Sequence, residues 1–174
     1  MLTASYDSLL VVVSLLVAIL ASYTALDMAE RINSAQDYAG RLWLAGGAVA
    51  MGIGIWSMHF VGMLAFRLPI DVGYDPWITF LSLLIAVCVS GFALWIVSRP
   101  ELPLGRLFNS AVAMGIGIAA MHYTGMAAML MSPGIRYDPV LFSASVAIAI
   151  AASAAALWIA FSLRKNTPHV KLAR

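Results

Sequence analysis

The chain has 174 residues, of which 63% are hydrophobic and only 10% are charged, whereas a soluble domain carries about 25% charged residues. This balance excludes an ordinary soluble domain and predicts an integral membrane protein. The net charge of +2 gives no basis for binding nucleic acid. The single cysteine, Cys88, excludes an internal disulfide and a cysteine-cluster metal site. We expect it to be a small buried hydrophobic residue.

Five apolar runs predict transmembrane helices, in chain order at residues 8–29, 42–66, 76–97, 104–131 and 139–163. Each run approaches or exceeds the ~20 residues that a helix needs to span a bilayer. The first seven residues contain Asp7 and no Lys or Arg, so no cleavable signal peptide is predicted. The predicted fold class is therefore an all-α transmembrane bundle of about five helices, formed by a single domain over residues 1–174.

The uneven distribution of Lys and Arg predicts the topology. Eight of these residues fall on one side of the predicted bundle: Arg31, Arg41, Arg99, Arg106, Arg164, Lys165, Lys171 and Arg174. Only Arg67 and Arg136 fall on the other side. Because basic residues concentrate on the cytoplasmic side of a membrane, the N-terminus is predicted outside and the C-terminus inside.

An internal repeat organises the chain. Ser-Met-His-Phe-Val-Gly-Met at residues 57–63 returns as Ala-Met-His-Tyr-Thr-Gly-Met at residues 120–126, and an identical eight-residue stretch precedes both copies. The units are predicted at residues 48–99 and 111–164, and they are parallel because an even number of helices separates them. Tyr-Asp begins the first, third and fifth helices, so three helices begin with Tyr-Asp and two carry Met-His.

The repeated histidines are the strongest indication of function, because a histidine within a membrane needs a partner or a role. Residues four apart share a helix face, so His59 converges with Met63 and His122 with Met126. Imidazole and thioether ligands without thiolates favour copper over zinc. Met58 and Met121 flank this face as further candidate ligands.

Other interpretations of the two histidines remain open. They are compatible with a hydrogen-bonded contact between helices, with the two axial ligands of a haem, and with a path for protons or gas. A small transporter is a further alternative, but parallel repeats and the lack of a charged residue in the middle of a span do not favour it.

These residues resemble the MHYT domain, a bacterial integral-membrane sensor family named for Met-His-Tyr-Thr, which stands here at residues 121–124. Residues 58–61 carry the variant Met-His-Phe-Val, and the resemblance covers nearly the whole chain. Members usually have three copies of the motif, whereas this chain has two. The resemblance therefore leaves open that the chain is a fragment, and that missing ligands come from a third motif or from a second subunit in a homodimer.

The resemblance implies a function in the bacterial inner membrane. Family members are thought to bind copper near the outer face and to sense oxygen, carbon monoxide or nitric oxide. They often precede cytoplasmic diguanylate cyclase, phosphodiesterase or kinase domains. The chain is then expected to be a sensory module without catalytic activity, whose partners are the lipid bilayer, a diatomic gas and a cytoplasmic signalling domain.

Several other residues have a structural and a functional interpretation. Asp75 and Asp138 are expected to cap the helices that follow them, and Tyr123, Asp75 and Asp138 are candidates to orient the histidines. Four other methionines are expected to fill the core: Met51, Met114, Met129 and Met131. Small residues in the repeat, Ala48 and Gly52 with Ala111 and Gly115, predict close packing between the second and fourth helices.

The predicted topology can be tested by labelling. A cysteine placed at Gly73 should react with a membrane-impermeant maleimide in intact cells, whereas a cysteine at Asn166 should not. The wild-type protein, with Cys88 alone, gives the background. The reverse pattern would place both histidines at the inner side of the membrane.

Overall fold

The structure is a computed structural model that describes residues 5–35, 37–67, 69–99, 103–132 and 134–166, with the backbone alone at 37 and 163–166. It contains five long helices: α1 (Ser8–Ser34), α2 (Asp37–Ala65), α3 (Pro76–Val97), α4 (Leu104–Ala127) and α5 (Pro139–Asn166). All five are long and apolar enough to cross a membrane. The prediction of an all-α bundle of five transmembrane helices is confirmed.

Helices α1 and α2 extend beyond the apolar runs that predicted them. The connection expected at residues 30–41 is mostly helical, since α1 continues to Ser34 and α2 begins at Asp37. Helical hydrogen bonding tolerates polar side chains at the membrane surface, and here Arg31 pairs with Asp27 one turn earlier, with Nε and Oδ2 2.8 Å apart. The length of an apolar run therefore indicates the part of a helix that crosses the membrane, and it underestimates the full length of the helix.

Helix α4 is shorter than predicted because the chain leaves it to form a strand. Strand β4 (Met129–Leu130) pairs antiparallel with β3 (Gly73–Tyr74), and β1 (Ser5–Tyr6) pairs in the same way with β2 (Phe66–Arg67). Each pairing joins the start of a helix that begins with Tyr-Asp to the end of a helix that carries Met-His. The pairs are too short to produce an alternating pattern in the sequence.

The three helices that begin with Tyr-Asp share one N-cap geometry. The Oδ1 atoms of Asp7, Asp75 and Asp138 each accept hydrogen bonds from the backbone N–H groups two and three residues later. The capping interpretation of Asp75 and Asp138 is confirmed. These bonds, from Leu10 above all, and the nearby Arg67 guanidinium lower the pKa of Asp7 below its ordinary value, so the cap is weakened only as the pH falls through that lowered pKa.

Each helix packs against the next one in the sequence, from α1 to α5. The hairpin of α1 and α2 is therefore followed by an equivalent hairpin of α3 and α4 with the same direction, and α5 packs on α4. This order keeps α2 and α4 on either side of α3 along most of their length.

The glycines of the repeat set the helix packing, but not between the pair of helices that the sequence predicted. A Cβ atom added to Gly52 of α2 would lie 2.6 Å from the Cα of Val87 in α3, and one added to Gly115 of α4 would lie 2.5 Å from the Cα of Ile150 in α5. The prediction that these glycines pack α2 against α4 is wrong. They bring each Met-His helix against the helix that follows it.

A second glycine in each unit packs against the preceding helix. A Cβ at Gly54 would meet the Cβ of Ala21 in α1 at 2.9 Å, and a Cβ at Gly117 would meet Val89 in α3. Ala21 and Val89 occupy equivalent positions of the helices that begin with Tyr-Asp. Each Met-His helix therefore packs closely against a neighbouring helix on two sides. Both contacts are made at glycines, where a side chain would prevent them.

The inner core lies among α3, α4 and α5 near the end where α3 stops. It contains Ala93, Ile96, Ala111, Met114, Leu157 and Phe161. Large apolar side chains cover the outside of the bundle, as expected for helices surrounded by lipid. Cys88 is exposed on α3, so the expectation that it is buried is wrong.

Replacing a packing glycine should destabilise the bundle in a position-dependent way. Gly52→Ala forces a methyl group against the backbone of α3 and should cost about 1–3 kcal/mol by overpacking. Gly46→Ala, on the same helix with nothing within 4 Å of the added Cβ, should be neutral or stabilising by up to ~1 kcal/mol because alanine favours the helix. Thermal unfolding in detergent measures both, and equal effects would contradict the packing described.

Candidate metal centre

The two histidines of the repeat meet at one end of the bundle. The ring centroids of His59 in α2 and His122 in α4 are 4.9 Å apart, with an angle of 62° between the ring planes. Helices α2 and α4 do not pack along their length, so these side chains bridge the gap between them. The structure therefore brings the two predicted half-sites together.

Gly125 makes this approach possible. A Cβ atom at Gly125 would lie 2.7 Å from Nε2 of His59 and 3.1 Å from its Cδ2. Gly125 stands three residues after His122, so its backbone lies on the same part of α4. The His59 ring therefore occupies the space that a side chain at this position would fill.

His59 has an unsatisfied nitrogen. Its Nε2 atom is buried and has no hydrogen-bond partner, a state that costs about 1–3 kcal/mol for a buried polar group. The interpretation of His59 as a hydrogen-bonded contact between helices does not account for this atom. This nitrogen lies beside the backbone of Gly125, and an imidazole nitrogen without a hydrogen-bond partner is able to coordinate a metal ion.

A cavity of about 490 Å³ opens beside the two rings and is rich in methionine. His59 and His122 share its wall with five methionines: Met58, Met63, Met126, Met129 and Met131. Tyr6 of β1 and Ser14 of α1 also line it. Met63 and Met126 thus lie at the cavity with their histidines, and Met129 and Met131, which were expected to fill the core, lie there too.

The remaining methionines lie elsewhere. Met121 is only 4% exposed, and among the described residues it does not line the cavity at the histidines. Met51 and Met114 line a different, apolar cavity of about 350 Å³ among the helices. Of the six candidate ligands, five therefore surround one cavity, and Met121 is packed in the bundle instead.

Ser14 joins α1 to the site. Its hydroxyl donates a hydrogen bond of 3.0 Å to the carbonyl oxygen of Met58, the residue before His59. The equivalent serine of α3, Ser82, instead accepts a hydrogen bond of 3.0 Å from Nε1 of Trp56. The sequence marks Gly125 only as a glycine that both copies of the motif contain, and it gives no signal for the roles of Ser14 and Trp56, because these roles depend on which helices become neighbours.

The residues that follow the two histidines have different surroundings. Phe60 packs on Trp56 and Tyr74, with ring centroids 4.7 and 5.8 Å away. Tyr123 contacts Tyr137 and Phe142, and its hydroxyl is 2.5 Å from the hydroxyl of Ser145 in α5. The surroundings of the two histidines are therefore unequal, because a phenyl ring follows His59 and a hydrogen-bonded phenol follows His122.

The candidates for orienting the histidines are placed as follows. Tyr123 makes an edge contact with His122, with ring centroids 5.0 Å apart. Asp75 and Asp138 direct their carboxylates at the backbone of their own helices. Tyr74, beside Asp75, is partly buried, and this burial raises its pKa, so its phenol stays neutral at physiological pH. Each histidine therefore has one aromatic neighbour, Phe60 or Tyr123, and the two carboxylates cap helices.

The donor set limits the kind of ion that the site can bind. Among the described residues there is no cluster of three or more His, Cys, Asp and Glu side chains. Hard cations and structural zinc, which need such ligands, do not fit. Two imidazoles and several thioethers fit a soft ion such as Cu(I).

These features define a membrane-embedded helical domain built from a repeated hairpin, with paired histidines in a methionine-rich cavity. The family model described as MHYT, a bacterial signalling protein N-terminal repeat, matches the chain twice, at residues 52–109 and 115–172. The chain therefore belongs to the MHYT family. The resemblance that the sequence motifs suggested is confirmed.

Three curated relatives extend this finding. The chain is 62% identical over its whole length to a quarter of the bifunctional diguanylate cyclase/cyclic di-GMP phosphodiesterase MucR of Pseudomonas aeruginosa. It is 50% identical over 88% of its length to 19% of the cyclic di-GMP phosphodiesterase NbdA of the same organism. It is 40% identical over 95% of its length to 21% of the signaling protein YkoW of Bacillus subtilis.

The chain spans a quarter or less of the length of these relatives. No solved structure matches it. It is thus similar to the MHYT portion of much longer signalling proteins, and the activities in their names are those of the whole proteins.

The contact between Gly125 and His59 generates a test that needs no metal. Gly125→Ala should displace the His59 ring and strongly shift its resonances in protein labelled at histidine. Gly62→Ala is the control from the equivalent position of the first unit, where an added Cβ meets only the Ser14 hydroxyl at 3.6 Å. Histidine spectra that respond equally to both variants would contradict the contact.

Proposed function

We propose that this chain is a membrane-embedded signal-input domain that binds copper through His59, His122, Met63 and Met126. The observation that carries the proposal is the buried, unpartnered Nε2 of His59 beside the His122 ring in a cavity lined by methionines. Met58, Met129 and Met131 at the same cavity are available as further thioether ligands. When bound, copper supplies a coordination position to which a diatomic gas such as O2, CO or NO can add.

The protein's own residues provide the selectivity of this site. Thioethers and neutral imidazoles lower the affinity for hard cations because they carry no negative charge. The largely apolar wall of the cavity excludes competing charged ligands. Met58 and Met63 come from α2 and Met126 from α4, so closure of the site draws two different hairpins together.

A route leads from the site toward α5. Tyr123 follows His122 directly, and its hydroxyl shares a hydrogen bond with Ser145 of α5. Farther from the histidines, Gly115 of α4 lies against Ile150 of α5. A change in the position of His122 would therefore be transmitted to the last helix of the chain through a polar contact and a backbone contact.

The relatives support a role in signalling. Two of them are named as enzymes of cyclic di-GMP metabolism, and this chain matches only a minor part of each. We propose that the chain passes its signal to such a cytoplasmic domain or partner and has no catalytic activity itself. The proposed location is the bacterial inner membrane, with the histidines near the outer face and the C-terminus in the cytoplasm.

The haem alternative fits the geometry less well. Two axial histidines lie on opposite faces of a porphyrin, whereas His59 and His122 touch each other edge to face. Gly125 also packs directly against His59. A Soret band in the purified protein would nevertheless favour haem over copper.

Copper content of purified variants tests the proposed site. His59→Ala and His122→Ala should each lose most of the metal, because each removes one of the two nitrogen ligands. Met63→Leu should weaken binding less, since thioether is the weaker ligand and leucine preserves the volume. Met51→Leu, in the separate apolar cavity, is the matched control and should change almost nothing.

Three results would contradict the shared site. Full copper in both histidine variants, or no copper in the wild type under oxidising and reducing conditions, would remove His59 and His122 as ligands. A loss of about half the metal in each single variant would indicate separate half-sites, completed by a third motif or by a second subunit.

A further inference from the structure

Each Met-His helix is hydrogen-bonded to the next helix close to its histidine, but a different side chain makes the bond in each repeat unit. In the second unit the hydroxyl of Tyr123 in α4 lies 2.5 Å from the hydroxyl of Ser145 in α5. In the first unit Nε1 of Trp56 in α2 donates a hydrogen bond of 3.0 Å to Ser82 in α3. Ser82 and Ser145 stand at equivalent positions of the repeat, so the two bonds end on equivalent acceptors.

The two serines have the same hydrogen bonding within their own helices. The hydroxyl of Ser82 donates to the carbonyl oxygen of Thr79 at 2.7 Å, and the hydroxyl of Ser145 donates to the carbonyl oxygen of Phe142 at 2.8 Å. Because a hydroxyl has one proton to donate, each serine accepts the bond that comes from the Met-His helix. Tyr123 is therefore the donor to Ser145, as Trp56 is the donor to Ser82.

The helices around the two bonds also pack in the same way. Gly52 lies against Val87 where α2 packs on α3, and Gly115 lies against Ile150 where α4 packs on α5. These two glycines are equivalent in the repeat, and so are Val87 and Ile150. Each serine therefore faces the same part of the Met-His helix that precedes it.

The donors to the two serines have been exchanged between two positions of the motif. Phe60 stands where the second unit has Tyr123, and it carries no hydroxyl. Ala119 stands where the first unit has Trp56, and its side chain has no donor. The two positions are four residues apart and share one helix face, so a donor at either position is directed at the following helix. At these two positions each unit has one donor, which indicates that the bond matters more than the residue that makes it.

In the first unit the bonded indole supports the side chains at the metal site. Trp56 packs on Phe60 with ring centroids 4.7 Å apart, and Phe60 makes an edge contact with His59 at 5.5 Å. A Cβ atom added to Gly125 would lie 2.7 Å from Nε2 of His59 and 3.5 Å from Cε2 of Phe60. The two rings therefore pack side by side against the backbone of α4, and Trp56 lies behind them.

We propose that Trp56 is a positioning residue for His59. In the second unit the ring in edge contact with His122 is Tyr123, and its own hydroxyl fixes it to α5. In the first unit the corresponding ring, Phe60, has no polar anchor, so Trp56 holds it from behind through the bond to Ser82. For copper binding this inference rests on the proposed function, whereas the placement of the His59 ring does not depend on a metal.

NMR spectra of the metal-free protein, labelled at histidine and studied in detergent, test the placement. Trp56→Phe removes the donor and should shift the His59 resonances, which His59→Ala identifies. Adding Phe60→Tyr supplies a hydroxyl at the position that Tyr123 occupies in the second unit, and it should return the resonances toward their wild-type values. The further change Ser82→Ala removes the acceptor and should abolish this rescue.

Copper titrations of the same variants test the consequence for the metal site. Trp56→Phe should weaken copper binding about tenfold, at the lower end of the effect of groups that orient metal ligands, and the added Phe60→Tyr should restore the affinity. Trp77→Phe is the matched control, since this tryptophan lies in the first turn of α3 and is 80% exposed. It should change neither the copper affinity nor the His59 resonances.

Three outcomes would overturn the proposal. They are unchanged His59 resonances in Trp56→Phe, no rescue by Phe60→Tyr, and a rescue of the same size without the Ser82 hydroxyl. If Trp56→Phe does not fold, Ser82→Ala alone should shift the His59 resonances, and unchanged resonances there would equally overturn the proposal. A wild type that binds no copper would contradict the proposed function alone, because the spectra report the position of the ring without metal.

Discussion

Backbone contact at small residues is the constraint on which the structure depends. Apolar helices in a bilayer gain little from burying apolar surface against each other, because lipid is equally apolar. Association then depends on close packing, and Gly52 and Gly115 supply it by removing the only atoms that would separate their helices from Val87 and Ile150. The spacing of the helices follows from these contacts. The separation of the two histidines follows from the α2–α3 contact at Gly52 together with the α3–α4 contact of Gly117 with Val89.

The same principle operates at the site itself. Gly125 allows the His59 ring to pack against the backbone of α4, and Gly52 allows the backbone of α3 to pack against α2. The repeat supplies two similar halves, but the contacts around them differ. Ser14 bonds to the backbone beside His59, and Tyr123 bonds to α5 beside His122. The two similar motifs of the repeat therefore have different surroundings.

The sequence was sufficient for the helix number, the repeat and the shared helix face of each His–Met pair, because each leaves a periodic or repeated pattern. It was insufficient for the partners of Gly52 and Gly115, since a small residue shows that something approaches but not what approaches. It also failed for Met129, Met131 and Cys88, whose surroundings depend on the two short strand pairs and on the order of the helices. The choice of copper remains a proposal that rests on ligand chemistry.

The contact of Gly115 with Ile150 has a mechanical consequence for α5. If α5 tilts as a rigid helix about this contact, Ser145 near the histidines is close to the point of rotation and Asn166 is much farther from it. The sixteen residues from Ile150 to Asn166 measure about 24 Å at 1.5 Å per residue. A tilt of ~5° about this contact would move Asn166 by about 2 Å while Ser145 moves by less than ~1 Å, so a small shift at the histidine end of α5 is enlarged at its other end.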